Sequence, residues 1–321
     1  MNRVRRLQVL IVAMFLAPAV ALAEQKLLIG STSSSSSHYG YFVAISQIIN
    51  QKVKDVSSSV VETGATLDNL RRMDRKQVDL GLVTTNVMHN AASGSGDFAG
   101  NPVKAKLLWV YSIAPQNVVV RADSGVKSLP ELSGKKLNPG IKGSATEKTA
   151  EAVFKVLGIA PDYMRGSTGE AVAAIKDNRA IGYVKSGAGL ALDASSREIA
   201  TFTPVKIIGL SAGEQQKVEA AMPELSMVQV PAIGSLNIPA YTTWGFGVAA
   251  AAGPDLDEEV AYQIVKAVFE DKEIQANAFA EVKGVDLMDT TLKYATTPLH
   301  PGALRYFREK GAKVPDRLIG K

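Results

Sequence analysis

The sequence predicts an α/β protein of two lobes with a ligand cleft between them. Three observations carry this. Between Leu27 and Ala92 an apolar run passes three times into a Gly, Ser, Thr or Asn turn and then into a helical pattern. That is the signature of βα units on a mostly parallel sheet. The same pattern restarts at Lys136-Leu137, after an intervening polar and apolar stretch. Two apolar strands, near Val118 and near Phe246, are placed to cross between the halves, and lobes joined in this way can close around a ligand.

The chain opens with a secretion signal. Arg3, Arg5 and Arg6 form a positive region, Val9 to Leu16 an apolar core, and Ala21-Leu22-Ala23 a small-residue cleavage site, so residues 1–23 are expected to be removed and the mature chain to begin at Glu24. The apolar run is shorter than the ~20 residues a spanning helix needs, and Pro18 lies near its end. The mature protein is therefore expected outside the cytoplasm. Losing three arginines lowers the formal charge from +5 to +2, and no basic stripe remains to suggest nucleic acid. The chain contains no cysteine. That excludes disulfides, thiolate zinc sites, cysteine nucleophiles and a lipoprotein anchor. The length from Glu24 onward exceeds one small core and favours two lobes.

The first strand, Leu27-Leu28-Ile29, ends in Gly30-Ser31-Thr32 and the serines Ser33 to Ser37; a helix follows with Phe42, Ile45, Ile48 and Ile49 on one face. Such a turn aims hydroxyls and free N–H groups at one point, at the positive end of a helix dipole, where an anion can bind without a lysine. A serine run also suits a flexible linker, but a linker seldom sits between a strand and its helix. Next come a strand Ser59–Glu62 with the turn Thr63-Gly64-Ala65-Thr66, a helix Leu67–Arg75, a strand Val78–Val83 with the turn Thr84-Thr85-Asn86, and a helix beginning at Val87. In open sheets ligands sit beyond the carboxyl ends of the strands, where all three turns lie. Apolar runs Leu107–Ile113 and Asn117–Arg121 follow. The second lobe holds the loop Asn138–Thr146, a helix Glu147–Leu157 stopped by Gly158, a helix Ala171–Lys176, and a strand Ile181–Val184 entering Lys185-Ser186-Gly187-Ala188-Gly189. Near the end come an apolar strand Trp244–Ala252, an amphipathic helix Glu258–Phe269 and a last short helix within Leu299–Gly311. The expected division is residues 24–120 with 242–321 in one lobe and 121–241 in the other.

Enzyme motifs are mostly missing. There is no H-E-x-x-H, Walker loop or G-x-S-x-G. Only His38, His89 and His300 are present, so neither a cofactor nor a metal is expected. The alternative of another class is a secreted serine hydrolase using Ser37 or Ser144; it would need one of these histidines as base, and Ser37-His38 are neighbours on a turn, which rarely point at each other. His38 reads as a ligand donor or a helix-start residue, His300 as the cap of the helix after Pro301.

Two stretches, Val118–Leu129 with Leu132-Ser133-Gly134-Lys135, and Pro298–Gly311, resemble signatures of the TAXI family, the extracytoplasmic solute receptors of TRAP transporters. The similarity runs from about Leu27 to Gly311. It implies a two-lobed type II periplasmic-binding-protein fold with a ligand cleft between lobes, a periplasmic monomer, no enzymatic activity, and a membrane TRAP permease as partner. The implied solute is a small organic anion such as a dicarboxylate, an oxo-acid or glutamate, with a neutral or other amino-acid solute as the alternative. Departures bear on the ligand. The first loop is serine-rich and ends in His38-Tyr39 instead of a tyrosine pair. The second-lobe loop, Gly143-Ser144-Ala145-Thr146-Glu147, lacks the usual arginine, a possible carboxylate clamp, and Asn86 replaces an acidic residue. Asn86 would favour a dicarboxylate or oxo-acid, whereas Glu147 would favour an amino group if it faced the cleft. The candidate ligand-binding residues are Ser33, Ser36, Ser37, His38 and Tyr39; Thr63, Gly64 and Thr66; Thr84, Thr85 and Asn86; Lys142, Ser144, Ala145 and Thr146; and Lys185, Ser186 and Gly187. Thr63, Thr66 and Thr146 serve equally as helix caps, and Tyr39 as lobe core.

Overall fold

The computed structural model describes residues 24–222 and 224–320; the expected signal peptide lies outside them. The strands are β1 (Gln25–Gly30), β2 (Val56–Val61), β3 (Leu80–Thr84), β4 (Lys106–Arg121), β5 (Lys136–Asn138), β6 (Asp162–Tyr163), β7 (Gly182–Ser186), β8 (Val205–Ile208), β9 (Ser226–Val230) and β10 (Tyr241–Ala252). The helices are α1 (Ser37–Lys52), α2 (Thr66–Asp74), α3 (Thr85–Ser93), α4 (Ala145–Leu157), α5 (Thr168–Lys176), α6 (Ala194–Phe202), α7 (Ala212–Ala221), α8 (Glu258–Glu270), α9 (Ile274–Ala278), α10 (Leu287–Tyr294) and α11 (Pro301–Glu309).

The strands run in the order β2-β1-β3-β10-β4-β7-β5-β6, with β8 on β4 and β9 on β10. β1 lies parallel to β2 and β3, and β5 parallel to β6 and β7. These are the two βα halves. Between them β10 and β4 run antiparallel to each other and to their neighbours. β4 belongs to both halves: its residues up to Pro115 pair with β10, and Gln116 to Val120 pair with β7. Sequence reading splits β4 in two because Pro115 interrupts the apolar pattern. The strand is continuous because proline withholds only its N–H; its carbonyl still accepts from Gly187 N at 2.7 Å.

Local chemistry explains the helix starts around the cleft. Ser36 caps α1, accepting from His38 N, and Phe42, Ile45, Ile48 and Ile49 are fully buried along its inner face. Ser144 caps α4 by accepting from Glu147 N. Gly140 enters this loop with φ 132°, and a Cβ there would lie 2.6 Å from Glu147 N, so only glycine lets the loop close on the helix. Thr85 and Asn86 fall in the first turn of α3 and not in the turn before it. His300 caps α11, accepting from Gly302 N through Nδ1.

Four elements between Ala194 and Val230, namely α6, β8, α7 and β9, escape the sequence reading. Their inward faces are weakly apolar. Ser195, Ser196 and Ile199 are the buried residues of α6, and Val218 is the buried residue of α7. Among the described residues no helix is long and apolar enough to cross a membrane.

Candidate functional site

The starts of four helices meet at one cavity of about 40 Å³ between the lobes. Ser36 comes from α1, Thr66 from α2, Thr84 from the turn into α3, and Ser144, Ala145 and Thr146 from α4; His38, Lys185 and Ser186 complete its polar wall. Leu82, Ile141 and Val248 supply an apolar floor. The first N–H groups of a helix have no partner within it, so these starts turn donors and the positive ends of dipoles toward one small space.

Two wall groups are conspicuously unfinished. Thr66 and Thr84 are buried, and neither hydroxyl makes a hydrogen bond within the protein. A buried hydroxyl without a partner is unfavourable by about 1–3 kcal/mol, and both lie in the wall of the cavity. Thr146 is differently placed. Its Oγ1 lies 2.8 Å from both Gln116 Oε1 and Ser186 Oγ, which ties α4 and β7 to the crossing strand β4.

The charged groups are internally balanced. Lys185 Nζ lies 3.6 Å from Asp193 Oδ1 and donates to Ser36 Oγ at 3.1 Å. Asp193 is fully buried at the start of α6. Its carboxylate accepts from Ser36 Oγ (3.0 Å), Ser37 N (2.8 Å), Ser195 N (3.0 Å) and Ser195 Oγ (2.6 Å). Burial works against its ionisation, but Lys185 and the Ser195 hydrogen bonds outweigh this and hold the carboxyl below its usual range. Glu147 turns away from the cavity: it accepts from Gly143 N at 2.7 Å and from Arg165 at 2.6 Å.

His38 is committed within the protein. Its Nε2 lies 3.0 Å from Gly187 O, an acceptor only, so Nε2 carries the proton and Nδ1 accepts from the Tyr111 hydroxyl at 2.9 Å. Phe279 packs against the ring, with centroids 5.3 Å apart. Burial, reinforced by Lys185, pushes its pKa down to about 4 against the opposing pull of Asp193. The imidazole is thus neutral at ordinary pH and joins α1 to the loop after β7. No serine hydroxyl is its partner: Ser37 Oγ accepts from Ala194 N, and Ser144 Oγ from Glu147 N.

Of the residues singled out from sequence, Ser36, His38, Thr66, Thr84, Ser144, Ala145, Thr146, Lys185 and Ser186 are brought together at the cavity. The others lie around it. Ser33 bonds to Ser35, and Ser37 is held by Asp193 and Ala194. Tyr39 is half-buried on α1 and Lys142 is exposed. The Thr63 hydroxyl lies 2.7 Å from both Ser31 O and Asn69 Oδ1, and Gly64 N donates to Asp68. Thr85 Oγ1 accepts from Gly247 N; Asn86 lines a separate groove with Asn90 and Lys148; Gly187 supplies the carbonyl that meets His38. Sequence reasoning missed Asp193, Gln116, Tyr111 and Asn69. Asn69 anchors the strand ends, donating to Ser31 O and Leu82 O. The missing Cβ of Gly30, which would come within 2.5 Å of Asn69 Oδ1, makes room for it. An Asp directly before Ala-Ser-Ser was the available cue for Asp193 as a cap.

The architecture has solved counterparts. One is a structure from work on glutathione import in Gram-positive bacteria via GshT and the cystine ABC importer TcyBC of Streptococcus mutans, with 11% identity and a TM-score of 0.53, covering 83% of this chain and 99% of that one. A putative L-cystine ABC transporter protein from Listeria monocytogenes shares 10% identity with a TM-score of 0.53, covering 80% and 96%. A periplasmic transporter structure shares 13% identity with a TM-score of 0.52, covering 81% and 87%. The molecule thus has the two-lobed type II fold of the periplasmic solute-binding proteins. Its sequence matches the NMT1-like family over residues 29–311, and the chain belongs to that family. The match carries the resemblance as far as this family and leaves the TAXI group, suggested by the two signature stretches, as a proposal.

Proposed function

We propose that the protein is a periplasmic receptor that binds a small organic anion in its cleft and delivers it to a membrane permease of the TRAP type. One observation carries the ligand reading: Thr66 and Thr84, two residues that line a cavity on which four helix starts converge, each hold a buried hydroxyl with no partner within the protein. A carboxylate would accept from those hydroxyls and from the first N–H groups of α4. The proposed lobes are residues 24–120 with 242–321, and 121–241. The export-signal pattern of residues 1–23 supports the compartment, and the two signature stretches support the TRAP partner. Some fold counterparts come from work on ABC transporters, which makes an ABC permease the rival partner.

The test is calorimetric titration of the mature chain, Glu24 to Lys321, with small carboxylates, amino acids and sugars. Stoichiometric binding of a carboxylate, lost in the Thr66→Val and Thr84→Val variants, is the expected result. Binding of sugars alone, or carboxylate binding indifferent to both variants, would overturn the site. Uptake into vesicles holding the permease, driven by an ion gradient and not by ATP, decides the partner.

A further inference from the structure

The serine-rich start of α1 offers an anion what an anion needs: the Ser36 hydroxyl and the Ser37 N–H at the positive end of a helix dipole. That offer is already accepted. Asp193 reaches across from the other lobe and takes both donors through Oδ2, while Oδ1 takes Ser195 N and Oγ and faces Lys185. The contact joins residues 157 positions apart. The protein's own carboxylate, directly behind the wall residues Ser36 and Lys185, therefore takes the donors that a second acidic group of a solute would need. It also neutralises Lys185, which is the charged side chain among the residues lining the cavity. The other acid near the wall, Glu147, is held by Arg165 and Gly143 N. What remains for a solute is hydroxyls, an apolar floor, and the starts of α2, α3 and α4.

We infer that Asp193 is a specificity-determining residue, which limits the cleft to solutes bringing one negative charge and excludes dianions of the same size. This rests on the receptor reading and narrows it. A second solute carboxylate would meet Asp193 as a like charge, with no unpaired cation in the cavity wall to offset it. Buried like charges are strongly unfavourable because little water screens them. An amide at the same position carries no such penalty.

The experiment compares succinate with succinamate and glutarate with glutaramate, by calorimetry at pH 7.5, on the mature wild-type chain and on Asp193→Asn. Asparagine can still cap α6 and accept one α1 donor, but it leaves Lys185 without its counter-charge. In the wild type the half-amide of at least one pair should bind tenfold or more tightly than the dianion. In Asp193→Asn that preference should fall tenfold or reverse. A wild-type preference below tenfold, or one for the dianion, overturns the inference. So does a preference that survives unchanged in a variant whose circular dichroism shows it to be folded. If Asp193→Asn does not fold, Lys185→Gln takes its place. It should widen the preference for the half-amide, and an unchanged ratio overturns the inference. Binding of a half-amide upholds the receptor reading whatever the variants do. If no carboxylate of either pair binds the wild type, the reading fails for small carboxylates and the inference falls with it.

Discussion

The starts of α1 and α4 look alike in sequence and differ in what fills them. Each follows a strand, each is capped by a serine, and each lies on the cavity. At α1 the donors go to Asp193, an acid from the other lobe. At α4 the nearby acid is Glu147, from the same first turn. It folds back onto Gly143 N and is held outside the cavity by Arg165, leaving Ala145 and Thr146 on the wall. A serine-capped helix start announces that an anion can be received. It does not say whose anion arrives.

The comparison breaks most sharply at the two acids. Asp193→Ala strands a buried lysine and four donors, and should lower stability by about 3–5 kcal/mol. Glu147→Ala removes a buried carboxylate whose partner Arg165 is half-exposed and keeps Glu151, and should lower it by about 1–2 kcal/mol. Urea denaturation of both variants checks this, and equal losses would erase the distinction between the two helix starts.

The next largest effect is in pH. His38, beside the α1 clasp, titrates at about 4 in the folded protein against 6.5 when unfolded. The unfolded chain therefore binds the proton more readily over that interval, and stability falls as pH drops from 6.5 to 4, by about 3 kcal/mol at ~1.4 kcal/mol per unit. The ionised Asp193 acts in a lower window, its contribution being lost only as pH falls below 3.8 and through its depressed folded value. Thermal melts of wild type and His38→Gln across this range should differ in slope between pH 6.5 and 4. Parallel curves would show that His38 is not the group that titrates in this window.

On the α4 side the expected effect is on binding and not on stability. Thr66→Val discards a hydroxyl that has no partner within the protein. It should leave the melting temperature unchanged or slightly raised, yet weaken solute affinity about tenfold, the loss of one hydrogen bond of about 1.4 kcal/mol. A matched loss of stability would show the hydroxyl to be structural. The smallest effect belongs to the outer contact between the halves, Lys148 to Asp97 at 3.0 Å, with both side chains well exposed. Lys148→Ala should change stability by roughly 0.5 kcal/mol or less, which would place the grip between lobes at the α1 clasp and not at the rim.

What was legible in the sequence follows what was periodic. β1, β3, α1 and α8 carry apolar residues at strand or helix spacing, and their positions were readable to within a few residues. α6 and α7 were not, because the inner face of α6 holds Ser195, Ser196 and Ile199 and that of α7 only Val218, which leaves little apolar rhythm to detect. Nine residues of the cavity wall could be read because polar turns at strand ends mark the rim of an α/β sheet. Asp193 could not. It looks like any capping aspartate, and its significance arises only when β4 carries the chain into the second βα half, which returns that cap to face Ser36 and Ser37. Tyr111 and Gln116 were hidden for a related reason: they sit inside an apolar strand and show their polar ends only in three dimensions.

The clasp at α1 is built from hydroxyls, one carboxylate, one ammonium and main-chain N–H groups. Parting the two halves here would exchange one set of hydrogen bonds for another with water, and the groups exposed would be polar. Exposing apolar area raises the heat capacity and exposing polar area lowers it, so this part of an opening motion would carry a change opposite in sign to that of an apolar contact. Calorimetry of solute binding across temperature would then report two contributions of opposite sign, one from the apolar floor of the cavity and one from the polar clasp.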